Sequence, residues 1–360
     1  MNIDLRPWCI EDAQAYTHNI NNPNVSANLT DGVPYPFYVK DAIAFLERVL
    51  EADPAQQLHR TILVDDRVAG GITVRKQADI RRGTGMMGYF IGQPHWGQGI
   101  MTEVVGRICG EAFSQLSIHR IEAQIFAPNL GSVRVLEKNG FVQEARLRQS
   151  ILKRGQVQDS LLMARLQPGT ALPVWDEVRT PDAPVKAQLP GNLHLRPYQV
   201  EDVPQILRLL DNPKMGATLS DRYSYPYTQE QAEAMVSFMV SADRRENLQQ
   251  VILVDGEVAG SVGISRREGV YRQTADVGYW VGEPFWGRGI MTAVLQRALC
   301  EAVGLLQVTR FEAEAFSGNV GSHRVLERCG FTRAGIARGS ITKGGEILDS
   351  ALYELVLNRT

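Results

Sequence analysis

Cysteine is scarce in this chain: four in 360 residues, at Cys9, Cys109, Cys300 and Cys329. They make no close pairs, and none has an equivalent in the internal repeat described below. A disulfide framework or a zinc site is therefore not expected, no metal is called for, and a reducing cytoplasm is the simplest setting. Charge of one sign is missing too. Thirty-eight Lys and Arg face 40 Asp and Glu, a net charge of −2, so nothing electrostatic argues for nucleic acid or an anionic membrane as main partner. No apolar run approaches membrane-spanning length, and Met1-Asn2-Ile3-Asp4-Leu5-Arg6 does not read as a signal peptide. What the chain does have is apolar content, 44%, enough to build packed cores and contrary to disorder. Its length suits two or three domains.

One stretch organises the rest. Gly88-Tyr89-Phe90-Ile91-Gly92-Gln93-Pro94-His95-Trp96-Gly97-Gln98-Gly99-Ile100-Met101-Thr102 returns as Gly278 to Thr292, with Gly, Tyr, Gly, Pro, Trp, Gly, Gly, Ile, Met and Thr kept. Each copy begins with a short aromatic and apolar run that suits a buried strand. A glycine-dense turn follows, and then a helical pattern in which Met101, Val104, Val105, Ile108, Cys109 and Ala112 recur at helix spacing. The first amides of a helix lack internal partners and lie at the positive end of its dipole, while glycines let a phosphate come close to the backbone. Two readings stand here: an anion site, or a tight strand-to-helix turn that only packs a core.

The repeat extends well beyond this motif. Leu5-Arg6-Pro7 and Leu195-Arg196-Pro197, Tyr35-Pro36 and Tyr225-Pro226, Gly97 and Gly287, Asn129 and Asn319, and Asp159 and Asp349 all stand 190 residues apart. A period this long is a domain duplication rather than a solenoid. The expected organisation is an N-terminal domain over 1–166, a linker over 167–192 and a C-terminal domain over 193–360. Pro168, Pro173, Pro181, Pro184 and Pro190 favour an extended linker, either free in solvent or pinned to a domain by Val174 and Trp175. Each copy reads as an opening strand, two helices, a hairpin, the strand–turn–helix motif, a further strand, a short helix and terminal strands. The hairpins turn at Asp65-Asp66 and at Asp255-Gly256. This is an α/β layout of the α+β, mixed-sheet kind, with helices flanking a twisted sheet in each domain.

A second constellation follows the motif. Asn129-Leu130-Gly131-Ser132-Val133-Arg134-Val135-Leu136-Glu137-Lys138-Asn139-Gly140-Phe141 is matched by Asn319 to Phe331. It reads as a strand end, an Asn N-cap, a helix and a glycine stop. In this order and spacing the two constellations resemble the GNAT superfamily of N-acetyltransferases, and within it the ribosomal-protein alanine N-acetyltransferase (RimJ/RimL-like) branch. The resemblance rests on the Leu-Arg-Pro start, the aromatic-Trp-Gly-x-Gly turn and the Asn-x-x-Ser run. It covers 3–166 and 193–357.

The resemblance implies acetyl-coenzyme A as cofactor. Its pyrophosphate would sit on the turn amides, at Trp96, Gly97, Gln98, Gly99, Ile100 and Met101 and at Trp286, Gly287, Arg288, Gly289, Ile290 and Met291. The pantetheine arm would pair with the strand ends Phe90, Ile91 and Gly92, and Trp280, Val281 and Gly282. Asn129 and Asn319 would contact that arm, or else only cap their helices. Pro94 and Pro284 stand where the family often has Gln or Arg, which removes one N–H donor.

Acetyl transfer needs a neutral amine, a polarised thioester carbonyl and a proton for the leaving thiolate. Ser132 and Ser322 stand where the resembled branch places the thiolate's proton donor; the alternative is a first-turn serine bonded to backbone. Glu122, Glu312, Glu314 and Asp276 are candidate bases, or ordinary strand carboxylates. Glu314 is Gln124 in the first copy and Asp276 is Met86, so the second domain is expected to be the better catalyst. Asp31 and Asp221 lie in the expected acceptor loops, either to attract an ammonium or to cap a turn. The functional expectation is transfer of acetyl to a primary amine, on a protein N-terminus or a small molecule, by a monomeric pseudo-dimer. The alternatives are a non-catalytic acyl-CoA-binding or sensing tandem module, and a purely structural pseudo-dimer.

Overall fold

The computed structural model describes residues 1–172 and 192–357. Its described residues form two compact units, Met1–Leu147 with Ile151–Leu172 and Ala337–Thr342, and 192–336 with Arg148–Ser150 and 343–357. Most of the expected linker, Val174 and Trp175 included, lies outside the described residues.

In the first unit the chain runs β1 (Ile3–Arg6), α1 (Ala13–Ile20), α2 (Pro23–Ser26), α3 (Val39–Leu50), β2 (Gln57–Val64), β3 (Arg67–Lys76) and β4 (Thr84–Ile91). It continues through α4 (Ile100–Gln115), β5 (Arg120–Phe126), α5 (Leu130–Lys138), β6 (Val142–Lys153) and β7 (Gln156–Leu166). The sheet order is β1-β2-β3-β4-β5-β7-β6. Among the described residues of this unit, β4 and β5 pair in parallel, while the neighbours on either side are antiparallel. This is the mixed sheet with flanking helices that the sequence leads one to expect. The hairpin turn between β2 and β3 places Asp65 and Asp66 at φ 47 and 62, the primed geometry whose twist suits a two-residue hairpin.

The second unit repeats this sequence of elements: β8 (Leu193–Pro197), α6 (Val203–Leu210), α7 (Pro213–Gly216), α8 (Gln229–Ser241), β9 (Asn247–Val254), β10 (Glu257–Arg266) and β11 (Thr274–Val281). Then come α9 (Ile290–Leu306), β12 (Arg310–Phe316), α10 (Val320–Arg328), β13 (Thr332–Lys343) and β14 (Glu346–Val356). Again one pair, β11 with β12, is parallel. The pattern of apolar residues does not predict the short helices α2 and α7. Asn22 and Asn212 cap them, each followed by a proline at the first helical position, and one helical turn is too short to leave an apolar period.

Apolar spacing decides which face each helix buries. In α4, Ile100, Met101, Val104, Val105, Ile108, Cys109, Ala112 and Phe113 are buried against Met87, Ile91, Ile121 and Ala123 of the sheet. Full burial of each large aliphatic side chain contributes roughly 1.5–3 kcal/mol. The opposite face of β4 sends Phe90 into a second cluster with Trp8, Tyr16 and Phe37, under α1 and α3. The repeated Leu-Arg-Pro start also finds its reason. Arg6 donates to both carboxylate oxygens of buried Asp12, at 2.7 and 2.6 Å, and Arg196 does the same to Asp202, at 2.8 and 2.5 Å. Each pair fastens the opening strand to the entry of the first helix. Among the described residues no helix is long and apolar enough to cross a membrane.

Candidate functional site

The strand–turn–helix motif is built as its glycines demand. Gly97 and Gly99 take φ 73 and 80, and Gly287 and Gly289 both take φ 73, a region that costs an L-residue about 1–2 kcal/mol. A Cβ at any of the four would meet nothing within 4 Å, so backbone conformation is what calls for glycine there, and the turn faces open space. Gly99 and Gly289 cap α4 and α9. Among the described residues the next amides, of Ile100 and Met101 and of Ile290 and Met291, find no acceptor, as the first turn of a helix requires. The side chains of those four residues are buried, so only their backbone faces the site.

The tryptophans of the turns are exposed but not idle. Trp96 donates from Nε1 to Ile91 O at 2.9 Å, and Trp286 to Val281 O at 2.6 Å, which ties each turn to the end of its strand. Gln98 folds back to donate to Pro94 O at 2.8 Å, whereas the Arg288 guanidinium lies over the Phe285 ring, 5.5 Å from its centroid. The second turn therefore carries a cation that the first lacks.

Directly before these turns the sheet opens. The parallel pairing ends at Met86 and Glu122 in one unit and at Asp276 and Glu312 in the other. Beyond those points β4 and β5, and β11 and β12, share no ladder. At the strand ends the backbone alternates: Gly92 N and Gly282 N still donate to Ala69 O and Ala259 O, and Ile91 and Val281 between them face the gap. Phe90 and Trp280 pack their side chains in the cores, and their carbonyls lie against Gly70 and Gly260 of the neighbouring strands. Gly88 and Gly278 are exposed on these strands, and a Cβ at either would meet nothing within 4 Å.

Across the gap stands the second constellation. Asn129 Oδ1 accepts from Ser132 N at 3.2 Å, and Asn319 Oδ1 from Ser322 N at 3.1 Å, so both asparagines cap their helices. Neither Ser132 Oγ nor Ser322 Oγ has a hydrogen-bond partner among the described residues, so backbone bonding does not occupy either hydroxyl. The hydroxyls of Tyr89 and Tyr279 donate to Ser132 O and Ser322 O at 3.4 and 3.3 Å, linking the splayed strand to the capped helix. Burial pushes the Tyr89 phenol up to about 12 and raises Tyr279 likewise, so both remain donors at neutral pH. Their identity in the two copies is visible in the sequence, but nothing there gives them this partner.

The model of the Acetyltransferase (GNAT) domain matches residues 2–142 and again 192–332. The chain belongs to the GNAT acetyltransferase family. Among its relatives, "Probable N-acetyltransferase YjcK" of Bacillus subtilis is 40% identical over 104 residues, 29% of this chain and 58% of that protein. "Putative ribosomal N-acetyltransferase YdaF" of the same organism is 33% identical over 105 residues, 29% of this chain and 57% of that protein. Among solved structures, RimL, a ribosomal L7/L12 alpha-N-protein acetyltransferase in complex with coenzyme A, is 25% identical with a TM-score of 0.43, covering 47% of this chain and 97% of its own. The chain spans a little over half the length of YjcK and of YdaF.

The candidate bases of this GNAT chain fall into two groups. Glu122 is 4% exposed and accepts from Arg120 Nη2 at 3.0 Å, Gln77 Nε2 at 2.7 Å and Arg81 Nη1 at 3.5 Å. Glu312 is held by Arg310 and by Arg267, the latter at 2.5 Å. Arg310 also reaches Glu354 at 2.9 Å. Asp276 pairs with Arg267, whose Nε lies 2.9 Å away. Burial works against the Arg267 charge, yet Glu312 and Asp276 outweigh it and raise its pKa. These three carboxylates are thus matched to guanidiniums. Glu314 is exposed and accepts a hydrogen bond from Ser350 Oγ. Gln124 makes the equivalent contact, donating to Ser160 Oγ at 2.8 Å. The loop aspartates have lysine partners: Asp31 with Lys153 at 2.9 Å and Asp221 with Lys343 at 2.8 Å. Sequence reasoning misses the arginines at 81, 120, 267 and 310. Only Arg120 and Arg310, two residues before a glutamate and so on the same strand face, leave a readable trace. No group of three or more His, Cys, Asp or Glu side chains among the described residues is placed to hold a metal ion.

Proposed function

We propose that the chain is an acetyl-CoA-dependent N-acetyltransferase with a cofactor site in each domain and the better catalytic centre in the second. The observation that carries this reading is the repeated helix N-terminus with unpartnered amides, set at the mouth of two splayed parallel strands. Pyrophosphate would take the amides of Gly97 to Met101 and of Gly287 to Met291, with Arg288 adding charge in the second domain. Pantetheine would lie along Phe90–Gly92 and Trp280–Gly282, and its carbonyl end would reach Asn129–Ser132 or Asn319–Ser322.

In the second domain the amine gives up its proton towards Glu314, whose carboxylate is steadied by Ser350. The neutral nitrogen would attack the thioester carbonyl; as the adduct collapses the C–S bond would break, Ser322 Oγ–H would protonate the departing thiolate, and the nitrogen's second proton would pass to Ser322 Oγ, leaving the serine neutral. Glu312 and Asp276 act as structural counter-ions to Arg310 and Arg267. Gln124 cannot take the amine's proton, and Glu122 is committed to Arg120 and Arg81. Those two facts favour a second reading for the first domain alone, that of a cofactor-binding module with little turnover.

Membership of the GNAT family supports the choice of cofactor. The likeness to YdaF, named as a putative ribosomal N-acetyltransferase, supports a protein N-terminus as one acceptor class. The likeness to the "L-amino acid N-acetyltransferase AaaT" of Escherichia coli, 28% identical over 110 residues, supports a small amine as the other. Calorimetric titration with coenzyme A should find two sites. A thiol-release assay over a panel of both acceptor classes should find turnover that Glu314→Gln abolishes and Ser132→Ala spares. No binding of coenzyme A at either turn would end the proposal.

A further inference from the structure

The second domain contains a buried polar relay that the first does not. His323, on α10 and 3% exposed, places Nε2 3.1 Å from Phe316 O and 3.2 Å from Ser317 O. Its Nδ1 lies 3.0 Å from Tyr353 Oη, and that hydroxyl lies 3.0 Å from Glu327 Oε1. Tyr353, on β14, is 2% exposed. At the equivalent positions the first domain has Val133, Met163 and Glu137, so histidine and tyrosine occur together in one copy and are absent together from the other.

Donor accounting fixes the ring. Carbonyl oxygens only accept, so Nε2 must carry a hydrogen. In a neutral ring Nδ1 is then an acceptor and competes for the one phenolic hydrogen with Glu327 Oε1, to which Tyr353 Oη donates. If the ring gains a proton, Nδ1 donates instead, and the Tyr353 hydroxyl turns its hydrogen to Glu327. Either way the same Nε2–H holds the same two carbonyls, and no heavy atom has to move. The charged groups acting on the pair are Glu327 on the same helix and Arg333 on β13. Burial depresses His323 below the ordinary histidine value and raises Tyr353, which keeps the ring neutral and the phenol protonated near pH 7.

The two carbonyls belong to the turn between β12 and α10, the segment that carries Asn319 and Ser322. Phe316 O already accepts from Asn319 N at 2.9 Å. We propose that His323 is a positioning residue of the second domain, clamping the Phe316–Ser317 turn to the first turn of α10 so that Asn319 and Ser322 are held for acyl transfer, with Tyr353 and Glu327 locking its ring. This rests on the reading of the second domain as the catalytic one.

The test uses the full chain. His323→Val installs the first domain's own residue and should leave the melting temperature near that of the parent. It should lower kcat about tenfold with little change in KM for acetyl-CoA, as misplacement of reacting groups does, and speed hydrogen exchange at the Asn319 amide. His323→Gln, which can still present a donor to the turn, should recover most of the loss. Nitrogen shifts of the His323 ring at pH 7.5 should report the Nε2–H tautomer. An Nδ1–H ring, or a valine variant with parental kcat and Asn319 exchange, overturns the proposal. Should His323→Val fail to fold, Tyr353→Phe keeps the packing and removes the lock, and the tautomer is read on the unaltered protein. Absence of any turnover in the parent would instead defeat the functional reading, while tautomer and exchange would still decide this one.

Discussion

Glu312→Gln separates a structural carboxylate from a catalytic one. Glu312 is 13% exposed and lies between Arg310, 0% exposed, and Arg267. Removing its charge leaves Arg310 with Glu354 at 2.9 Å and Arg267 with Asp276 at 2.9 Å from Nε. Breaking a buried ion pair outright costs about 3–5 kcal/mol. Here glutamine keeps an acceptor oxygen and each arginine keeps one carboxylate, so the expected cost falls to about 2 kcal/mol, below that range. For a domain of this size that lowers the melting temperature by roughly 4–8 °C. Turnover at 25 °C, measured by thiol release per folded molecule, should stay within about threefold of the parent, whereas loss of a general base costs about 10²–10⁴. Glu122→Gln, beside fully buried Arg120, should destabilise in the same sense. Glu314→Gln should do the reverse, with stability within about 0.5 kcal/mol of the parent and turnover gone. A Glu312→Gln protein that melts like the parent but turns over a hundredfold more slowly would refute the assignment of roles.

Other outcomes follow from the same geometry. Gly289→Ala forces an L-residue into φ 73. It should cost about 1–2 kcal/mol and weaken one of two coenzyme A sites about 5- to 30-fold in calorimetry; an unchanged isotherm would remove the turn from the cofactor site. Asn129→Ala deletes the cap on Ser132 N and should lower stability by about 1 kcal/mol in denaturant titration. His59 is pushed down from 6.5 to about 4 by burial and then by Arg75 and Arg60. Its folded pKa lies below the unfolded one, so its stabilising effect is present above pH 6.5 and is lost as pH falls towards 4. His59→Gln, which installs the residue the second domain carries at Gln249, should flatten the melting temperature over that window; an unchanged slope would place the acid sensitivity elsewhere.

Much of the fold can be read because it is local chemistry written twice. The offset of 190 residues aligns Leu5-Arg6-Pro7, the glycine turn and the asparagine caps of both copies, and each of these has a short-range physical cause: an ion pair six residues on, a positive φ, a helix N-terminus. What resists reading is long-range. Glu122 and Glu312 look like available bases on a strand, because the arginines that occupy them come partly from the loop after β3 and from the residue that follows β10. Asp276 looks like an extra acid until Arg267, nine residues earlier and across the hairpin, closes on it. Asp31 and Asp221 invite an ammonium in the sequence, yet each meets a lysine 122 residues away.

The differences between the copies come in matched sets, and that bears on what the second domain is for. Where the first domain has Gln77 and Met86, the second has the ion pair of Arg267 and Asp276. Where the first has Val133 and Met163, the second has His323 bonded to Tyr353. The buried arginine of the first domain finds its second carboxylate in Glu144 on β6, and that of the second domain finds it in Glu354 on β14. The equivalents of these glutamates are Ala334 and Ala164. Each exchange leaves every buried charge it touches with a partner, which is the condition for folding. Stability alone thus gives no reason for the second copy to place ionisable groups at these positions, since the apolar versions at Met86, Val133 and Met163 fold in the same architecture. On the strands, helix and turn around one gap, Asp276, Arg288, Glu314 and His323 stand where the first copy has Met86, Gln98, Gln124 and Val133. A charge-bearing gap beside an unaltered glycine turn is the arrangement expected where a proton has to move as well as a phosphate be held.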